Sequence, residues 1–301
     1  MPSFHARVRR RPHRGPGSPR RRSPVLPHFG QQGICRHARS SALDAVHPLQ
    51  DQVARIWLNR PEQHNPINAL ALDELISAFD ELQRHPEIAV AVLGGRGPSF
   101  SAGADRNDWP GLPRAADASA PQRGYTAQLG RRAVQAIERA EAITIAQLHG
   151  HVIGGAVLIA LACDLRIAAR STRFRIPEVD LGVPLTWGGV PRLAREVGAA
   201  RARELILLCD AFDAATAERY ALVNRVVPDE ELDAAVEDWT RRLSVKAPWT
   251  LHMTKRQFRA YASAGVLGDV TELDGDLLTS ALREDPTRLA VAPKKKATDD
   301  E

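Results

Sequence analysis

The chain has 301 residues, 44% of them hydrophobic, which is enough to bury a substantial core in one large domain. Its formal net charge is +5, but residues 1–43 contain ten arginines and no Asp, Glu or Lys, so the rest of the chain carries a formal charge of −5. The basic character belongs to this leader alone, which argues against nucleic-acid binding by the folded part.

Cysteine usage and hydropathy exclude two further classes of protein. Cys35, Cys163 and Cys209 are scattered and lack the spacing of a disulfide scaffold or a metal site, as expected in a reducing compartment. The longest apolar run, Val152–Cys163, is shorter than the ~20 residues that a membrane span needs. Arginine strongly outnumbers lysine, a bias common in bacterial chains. We therefore expect a cytoplasmic bacterial protein.

The Arg-rich leader has three interpretations. Its lack of acidic residues is typical of organelle transit peptides, and would then indicate a mitochondrial protein, but no apolar stripe at helical spacing accompanies it. It could also be a disordered arm that binds anions. We predict an unstructured extension over residues 1–47.

Residues 48–198 show the alternation of apolar strands and amphipathic helices that is typical of an α/β core with right-handed crossovers. The predicted strands are Val53–Leu58, Ile88–Leu93, Ile143–Leu148 and Leu165–Ala169. The predicted helices of this part are Ala69–Arg84 and Gln122–Ala140. A segment rich in Pro, Ala and Asp, residues 106–120, is predicted to be a mobile loop.

Residues 199–285 are predicted to form a helical C-terminal region, followed by a polar tail over 286–301. From Trp187 onward the only strand signal is Leu222–Val227. The helices predicted from there on are 188–197, 199–208, 214–220, 230–246, 248–262 and 270–283.

The segment Ile143–Asp164 carries the strongest chemical signal. A buried strand is followed by a tight turn, by Gly154-Gly155, and by a helix with almost no polar surface. This order directs free backbone N–H groups of a helix N-terminus into a site that glycine keeps open. Oriented N–H donors in a dry pocket stabilise a developing negative charge on oxygen. The segment therefore predicts an oxyanion site.

Five motifs in order resemble the crotonase superfamily of the enoyl-CoA hydratase/isomerase type, over about residues 51–262. They are Leu58-Asn59-Arg60-Pro61-Glu62 with Asn65, Phe100–Asp105, His149–Asp164, Pro177-Glu178 with Leu181-Gly182, and Ala221–Val227. The resemblance implies an α/β fold with a crotonase-like ββα spiral core and a C-terminal helical region. It also implies homotrimers, often paired into hexamers, with the C-terminal helices at the interface.

The resemblance implies roles for individual residues. The N–H groups of Ala104 and Gly155 would bind the carbonyl oxygen of an acyl-CoA thioester, and Glu178 would act as acid and base. Substrate contacts would come from Arg60, Ala102, Asp105, Gly154 and Lys255. For Lys255, on a helix whose family counterpart contacts coenzyme A phosphates, an ordinary solvated basic surface is the alternative.

One departure from the family pattern concerns the reaction. Hydratases of this family hold water between two glutamates, and the other glutamate would stand at position 158, which is Leu158 here. A single base suffices to move a double bond from the 3,4 to the 2,3 position, so Δ3-Δ2 enoyl-CoA isomerisation is favoured over hydration. Thr186 stands where dienoyl-CoA isomerases and aryl-CoA dehalogenases carry aspartate, which argues against both. Asp180 and His151 are alternative catalytic candidates.

The sequence therefore predicts an acyl-CoA enzyme of fatty-acid or related metabolism. It uses no metal and no separate cofactor, because coenzyme A enters as part of the substrate. A 2-enoyl-CoA hydratase and a catalytically weak acyl-CoA-binding or scaffold protein are the competing hypotheses.

Overall fold

A computed structural model describes residues 42–46, 52–112, 118–264, 274–275, 277 and 279–280. The strands are β1 (Leu43–Val46), β2 (Val53–Leu58), β3 (Val90–Gly95), β4 (Ile143–Leu148), β5 (His151–Ile153), β6 (Leu165–Ala169), β7 (Arg173–Arg175), β8 (Phe212–Asp213) and β9 (Arg225–Val227). The helices are α1 (Ala69–Leu82), α2 (Ala120–Ala127), α3 (Leu129–Arg139), α4 (Gly155–Ala162), α5 (Gly189–Val197), α6 (Ala199–Leu208), α7 (Ala214–Arg219), α8 (Leu232–Ser244) and α9 (Pro248–Ala264).

Two sheets organise the molecule. The larger has six strands in the order β1-β2-β3-β4-β6-β9, all parallel to their neighbours except β1, which pairs antiparallel with β2. The smaller has three strands in the order β5-β7-β8. β5 follows β4 and β7 follows β6, so these two strands of the large sheet are each succeeded by a short strand of the small sheet. The α/β class and the helical C-terminal region are thus confirmed.

Both faces of the large sheet are covered, so its central strands are mostly apolar. Side chains alternate between the faces: Ala91 and Leu93 of β3 join the main core with α1, α3 and α4, whereas Val90 and Val92 face the other way. On that second face they meet Leu232 and other buried residues of α8. Helix α8 of the C-terminal region thus packs directly on the sheet.

The unstructured leader predicted over residues 1–47 includes residues that form a strand. Strand β1 falls within residues 1–47, which were predicted to be unstructured, and this part of the prediction is wrong. The N–H groups of Ala42 and Leu43 both donate to Glu74 Oε2 on α1, at 2.9 and 3.0 Å, and β1 adds an antiparallel edge to β2. Residues 1–41 and the tail 286–301 lie outside the described residues.

Two further element predictions need correction. The helix predicted over 122–140 consists of α2 and α3, which meet at Gln128. The strand predicted over 222–227 begins only at Arg225, because the chain turns through a left-handed Ala221 (φ 60°) and Leu222 N–H donates to Ala217 O in α7. The helix predicted over 270–283 and the loop over 106–120 lie partly outside the described residues.

None of the helices within the described ranges has the length and apolar character that crossing a bilayer requires.

Candidate active site

The first oxyanion segment is held against β5 by backbone hydrogen bonds. Ser101 N–H donates to His151 O at 2.9 Å, and Ile153 N–H donates to Ser101 O at 3.2 Å. On its other side Asp105 N–H donates to Ile67 O at 2.8 Å. No described residue accepts a hydrogen bond from Ala104 N–H. The donor is therefore rigidly positioned and available to a ligand.

The second oxyanion segment depends on glycine. Gly154 has φ 56° and ψ −122°, a conformation that side-chain-bearing residues rarely adopt, and its N–H donates to Arg175 O at 2.8 Å. Gly155 begins α4, so its N–H lies in the first helical turn, where no intrahelical acceptor exists. Among the described residues none accepts it.

The two segments border one cavity of about 100 Å³. It brings together the three predicted catalytic residues, Ala104, Gly155 and Glu178, and the predicted substrate-binding residues Ala102 and Gly154. The rest of the wall is mainly apolar and is formed by Gly103, Arg106, Trp109, Pro110, Ile153, Leu158, Pro177, Leu181, Val183, Pro184, Thr186 and Trp187. Such a wall strengthens electrostatic interactions inside.

Glu178 presents a buried carboxylate to this cavity. Its Oε2 atom is shielded from solvent and has no hydrogen-bond partner among the described residues. Burial raises the pKa of Glu178 to about 7, and only a hydrogen bond with its own backbone opposes the shift. A carboxyl group with a pKa near neutrality suits proton transfer in both directions.

Leu158 occupies the position at which a second carboxylate would stand. It lies in the second turn of α4, is 1% exposed and lines the same cavity as Glu178. Glu178 is accordingly the only carboxylate among the described residues that line the cavity.

The alternative catalytic candidates lie elsewhere. Asp180 is half exposed and forms an ion pair with Arg175 at 2.6 Å, because the chain turns after Pro177 instead of extending. His151 is exposed in β5, and its ring lies 5.8 Å from that of His64. Neither Asp180 nor His151 lines the cavity.

Two predicted substrate-binding residues contact each other. Arg60 Nη1 lies 2.7 Å from Asp105 Oδ2 and also donates to Pro66 O, and Asp105 is only 5% exposed. This pair fastens the loop after β2 to the first oxyanion segment. Neither residue borders the cavity, and their contact with substrate stays a prediction.

Lys255 is placed far more deeply than predicted. It is 3% exposed in α9, and its Nζ atom lies 2.6 Å from Asp164 Oδ2 and 2.9 Å from Ala142 O. Its ammonium group thus joins α9 to the C-terminal end of α4, away from the oxyanion donors. The solvated basic surface is wrong, because the charge is buried and paired with Asp164, whereas the contact with coenzyme A phosphates stays a prediction.

Trp187 is the main cavity residue that the sequence analysis missed. Its ring covers Gly155 and Gly130 of α3 so closely that a Cβ atom at either glycine would come within 2.4 Å and 1.9 Å of it. The sequence feature that could have indicated this contact is Gly130. A glycine inside a strongly amphipathic helix commonly marks the close approach of another group.

The residues that the structure describes contain no group of three or more His, Cys, Asp or Glu side chains able to hold a metal ion.

Comparison with known proteins agrees with this geometry. Residues 49–295 match the family model described as enoyl-CoA hydratase/isomerase. The chain is 33% identical to the crotonyl-CoA hydratase of Syntrophomonas wolfei, over 73% of this chain and 82% of that protein. It is 32% identical to the short-chain-enoyl-CoA hydratase of Clostridium acetobutylicum, over 69% of this chain and 77% of that protein.

A solved structure shows the same fold. The crystal structure of an enoyl-CoA hydratase from Mycobacterium avium subsp. paratuberculosis matches with a TM-score of 0.74 and 25% identity, covering 85% of this chain and all of that one. The crotonase-like core predicted from the motifs is thereby confirmed, and the chain belongs to the enoyl-CoA hydratase/isomerase family.

Proposed function

We propose that this acyl-CoA enzyme moves the double bond of 3-enoyl-CoA thioesters into conjugation with the carbonyl group, with Glu178 as its single acid/base. The observation that carries the proposal is the pairing of one buried carboxylate with the apolar Leu158 in the same cavity. Isomerisation needs one group that removes a proton and returns it. Hydration also needs a second contact to hold a water molecule.

The reaction follows from the positions of the donors and the base. The thioester oxygen accepts hydrogen bonds from Ala104 and Gly155 N–H, and the Glu178 carboxylate removes a proton from C2. The electron pair left at C2 moves onto the thioester oxygen, forming an enolate that the two donors stabilise. Collapse of the enolate forms the C2=C3 bond, the former C3=C4 pair takes the proton from Glu178 at C4, and the base is regenerated.

Gly154 precedes the N–H donor Gly155 and lies against the base Glu178, so Gly154→Ala is expected to lower kcat about 10²-fold. The added Cβ would lie 2.8 Å from Glu178 Oε1, at a φ that favours glycine. Gly198→Ala is the matched control, because Gly198 also has a positive φ (81°) but faces open space. Both variants should lose stability similarly in thermal melts, and equal activity of the two would contradict the proposed role of Gly154.

Ionisation of Glu178 predicts the pH dependence. The base acts as the carboxylate, and its pKa is about 7, so kcat/KM for isomerisation should rise with pH, reach half its maximum near pH 7 and then level off. The measurement is the initial rate at low substrate concentration across the pH range over which the protein stays folded. A profile already level from pH 5 would show that no group with this pKa acts as the base.

Hydration of 2-enoyl-CoA is a second candidate, favoured by the names of the two relatives compared above. The test is to assay 2-enoyl- and 3-enoyl-CoA thioesters of matched chain length with the same purified protein. Faster turnover of the 3-enoyl substrate supports isomerisation as the main activity. Faster hydration would reverse that assignment, and binding without turnover of either substrate would favour the acyl-CoA-binding protein.

A further inference from the structure

The indole ring of Trp187 forms a large part of the buried wall of the cavity. Trp187 is 7% exposed and lines the cavity together with the buried side chains of Leu158 and Val183. Its six-membered ring lies against Gly155, and the pyrrole side of the indole lies against Gly130 of α3. The ring therefore fills the space between α3 and the first turn of α4, directly beside an oxyanion donor.

The position of this ring is fixed by the backbone around it. Trp187 has φ 56°, a left-handed conformation that is rare for a bulky residue. Its carbonyl oxygen and that of Gly188 both accept from Arg192 Nη1 at 3.0 Å. Arg192 is buried, and its Nε donates to Glu138 Oε1 on α3 at 2.7 Å. Strained conformations persist only where the surroundings fix them, and they cluster at functional sites.

The cavity is small for an acyl group. An apolar cavity of about 150 Å³ accommodates one benzene molecule, which has six carbon atoms. The cavity beside Trp187 measures about 100 Å³. By the same measure it holds about four carbon atoms. A four-carbon acyl group is also the shortest that can carry the 3,4 double bond of the proposed substrate.

We propose that Trp187 determines the acyl-chain length of the substrate, because its ring closes the pocket and restricts the enzyme to 3-enoyl-CoA thioesters of about four to six carbon atoms. This inference rests on the proposed function, since it places the thioester oxygen at the N–H groups of Ala104 and Gly155. An acyl chain that starts there lies beside the indole from its first carbons. Further methylene groups would have to displace a ring that is packed on two helices.

The test measures kcat/KM for 3-butenoyl-, 3-hexenoyl-, 3-octenoyl- and 3-decenoyl-CoA. One methylene group that does not fit a pocket changes kcat/KM about 10–200-fold, so the wild-type protein should prefer 3-butenoyl- over 3-decenoyl-CoA by at least about 10²-fold. Trp187→Gly removes the ring and suits the left-handed φ, and it should reduce this preference to less than about 10-fold. Trp187→Leu keeps part of the bulk and should give an intermediate preference.

Phe174→Leu is the matched control for lost packing. Phe174 is also a buried aromatic residue, and it stacks on Phe212 with the ring centroids 5.4 Å apart. It does not line the cavity. The Phe174→Leu variant should therefore be less stable in thermal melts but keep the wild-type preference among the four substrates.

Equal kcat/KM of the wild-type protein for 3-butenoyl- and 3-decenoyl-CoA would overturn this inference and leave the proposed isomerase intact. An unchanged preference in the Trp187 variants would show that another part of the wall limits the chain. The same change in Phe174→Leu would assign the effect to a loosened core. No turnover of any of the four substrates, with thermal melts showing a folded wild-type protein, would refute the proposed function and this inference with it.

Discussion

Replacing Glu178 by glutamine is expected to lower kcat for both isomerisation and hydration by about 10²–10⁴-fold, the usual contribution of a general acid/base. Glutamine keeps the shape of the side chain but neither accepts nor returns a proton. Because Glu178 is the only carboxylate among the described cavity-lining residues, no other described wall carboxylate takes over its role. Steady-state rates with 2-enoyl- and 3-enoyl-CoA measure the loss.

Asp180→Asn provides the matched control, since it makes the same chemical change two residues away. Asp180 is half exposed and pairs with Arg175 outside the cavity, so its replacement should cost less than about 1 kcal/mol of stability and leave the rates near wild type. A similar loss of activity in both variants would show that charge in this turn, rather than the base itself, controls the rate.

The same Glu178 variant should be more stable than the wild type at high pH. The pKa of Glu178 is raised from its ordinary value of 4.5 to about 7, so folding favours the neutral form; the associated stability is complete below pH 4.5 and is lost as pH rises through 7. Glutamine avoids this loss and should raise the free energy of unfolding by about 3 kcal/mol at about pH 9, with little difference near pH 4. This gain also shows that lost activity is not due to misfolding.

Replacing Lys255 by methionine is expected to lower the free energy of unfolding by about 3 kcal/mol, because it leaves the carboxylate of Asp164 without its cation. The Lys255 side chain is 2% exposed and that of Asp164 is 29% exposed, so the remaining charge is only partly solvated. Urea unfolding measures the change, and Lys246→Met, on the exposed turn between α8 and α9, is the surface control.

This prediction also separates the two roles considered for Lys255. If Lys255 serves only the ion pair with Asp164, the methionine variant should be less stable, with little change in the KM for acyl-CoA. A raised KM with unchanged stability would instead support the predicted contact with coenzyme A phosphates.

The proposed oxyanion site could be predicted from the sequence because its parts are local. Backbone N–H groups act as the donors, so what matters is the small residues Gly154 and Gly155 after a buried strand, and these are adjacent in the chain. The loss of the second carboxylate was likewise visible at Leu158. Glu178 follows a proline and an apolar residue, and its burial in the structure agrees with the raised pKa expected for it.

The features that the sequence did not reveal concern residues whose partners are distant in the chain. Arg60 pairs with Asp105, 45 positions away, and Lys255 pairs with Asp164, so charges that look available in the sequence are already neutralised in the fold. No periodic pattern indicates such pairs. The short strand β5 was missed for a related reason, since three residues are too few to show alternation.

The most direct test of the proposed site is a crystal structure of the Glu178→Gln variant bound to an enoyl-CoA thioester. The thioester oxygen is expected to lie about 2.7–3.1 Å from the backbone nitrogens of both Ala104 and Gly155. The side chain at position 178 is expected to face C2 of the acyl group across the cavity from Leu158. A thioester oxygen bound away from the two N–H groups, or an acyl chain outside this cavity, would contradict it.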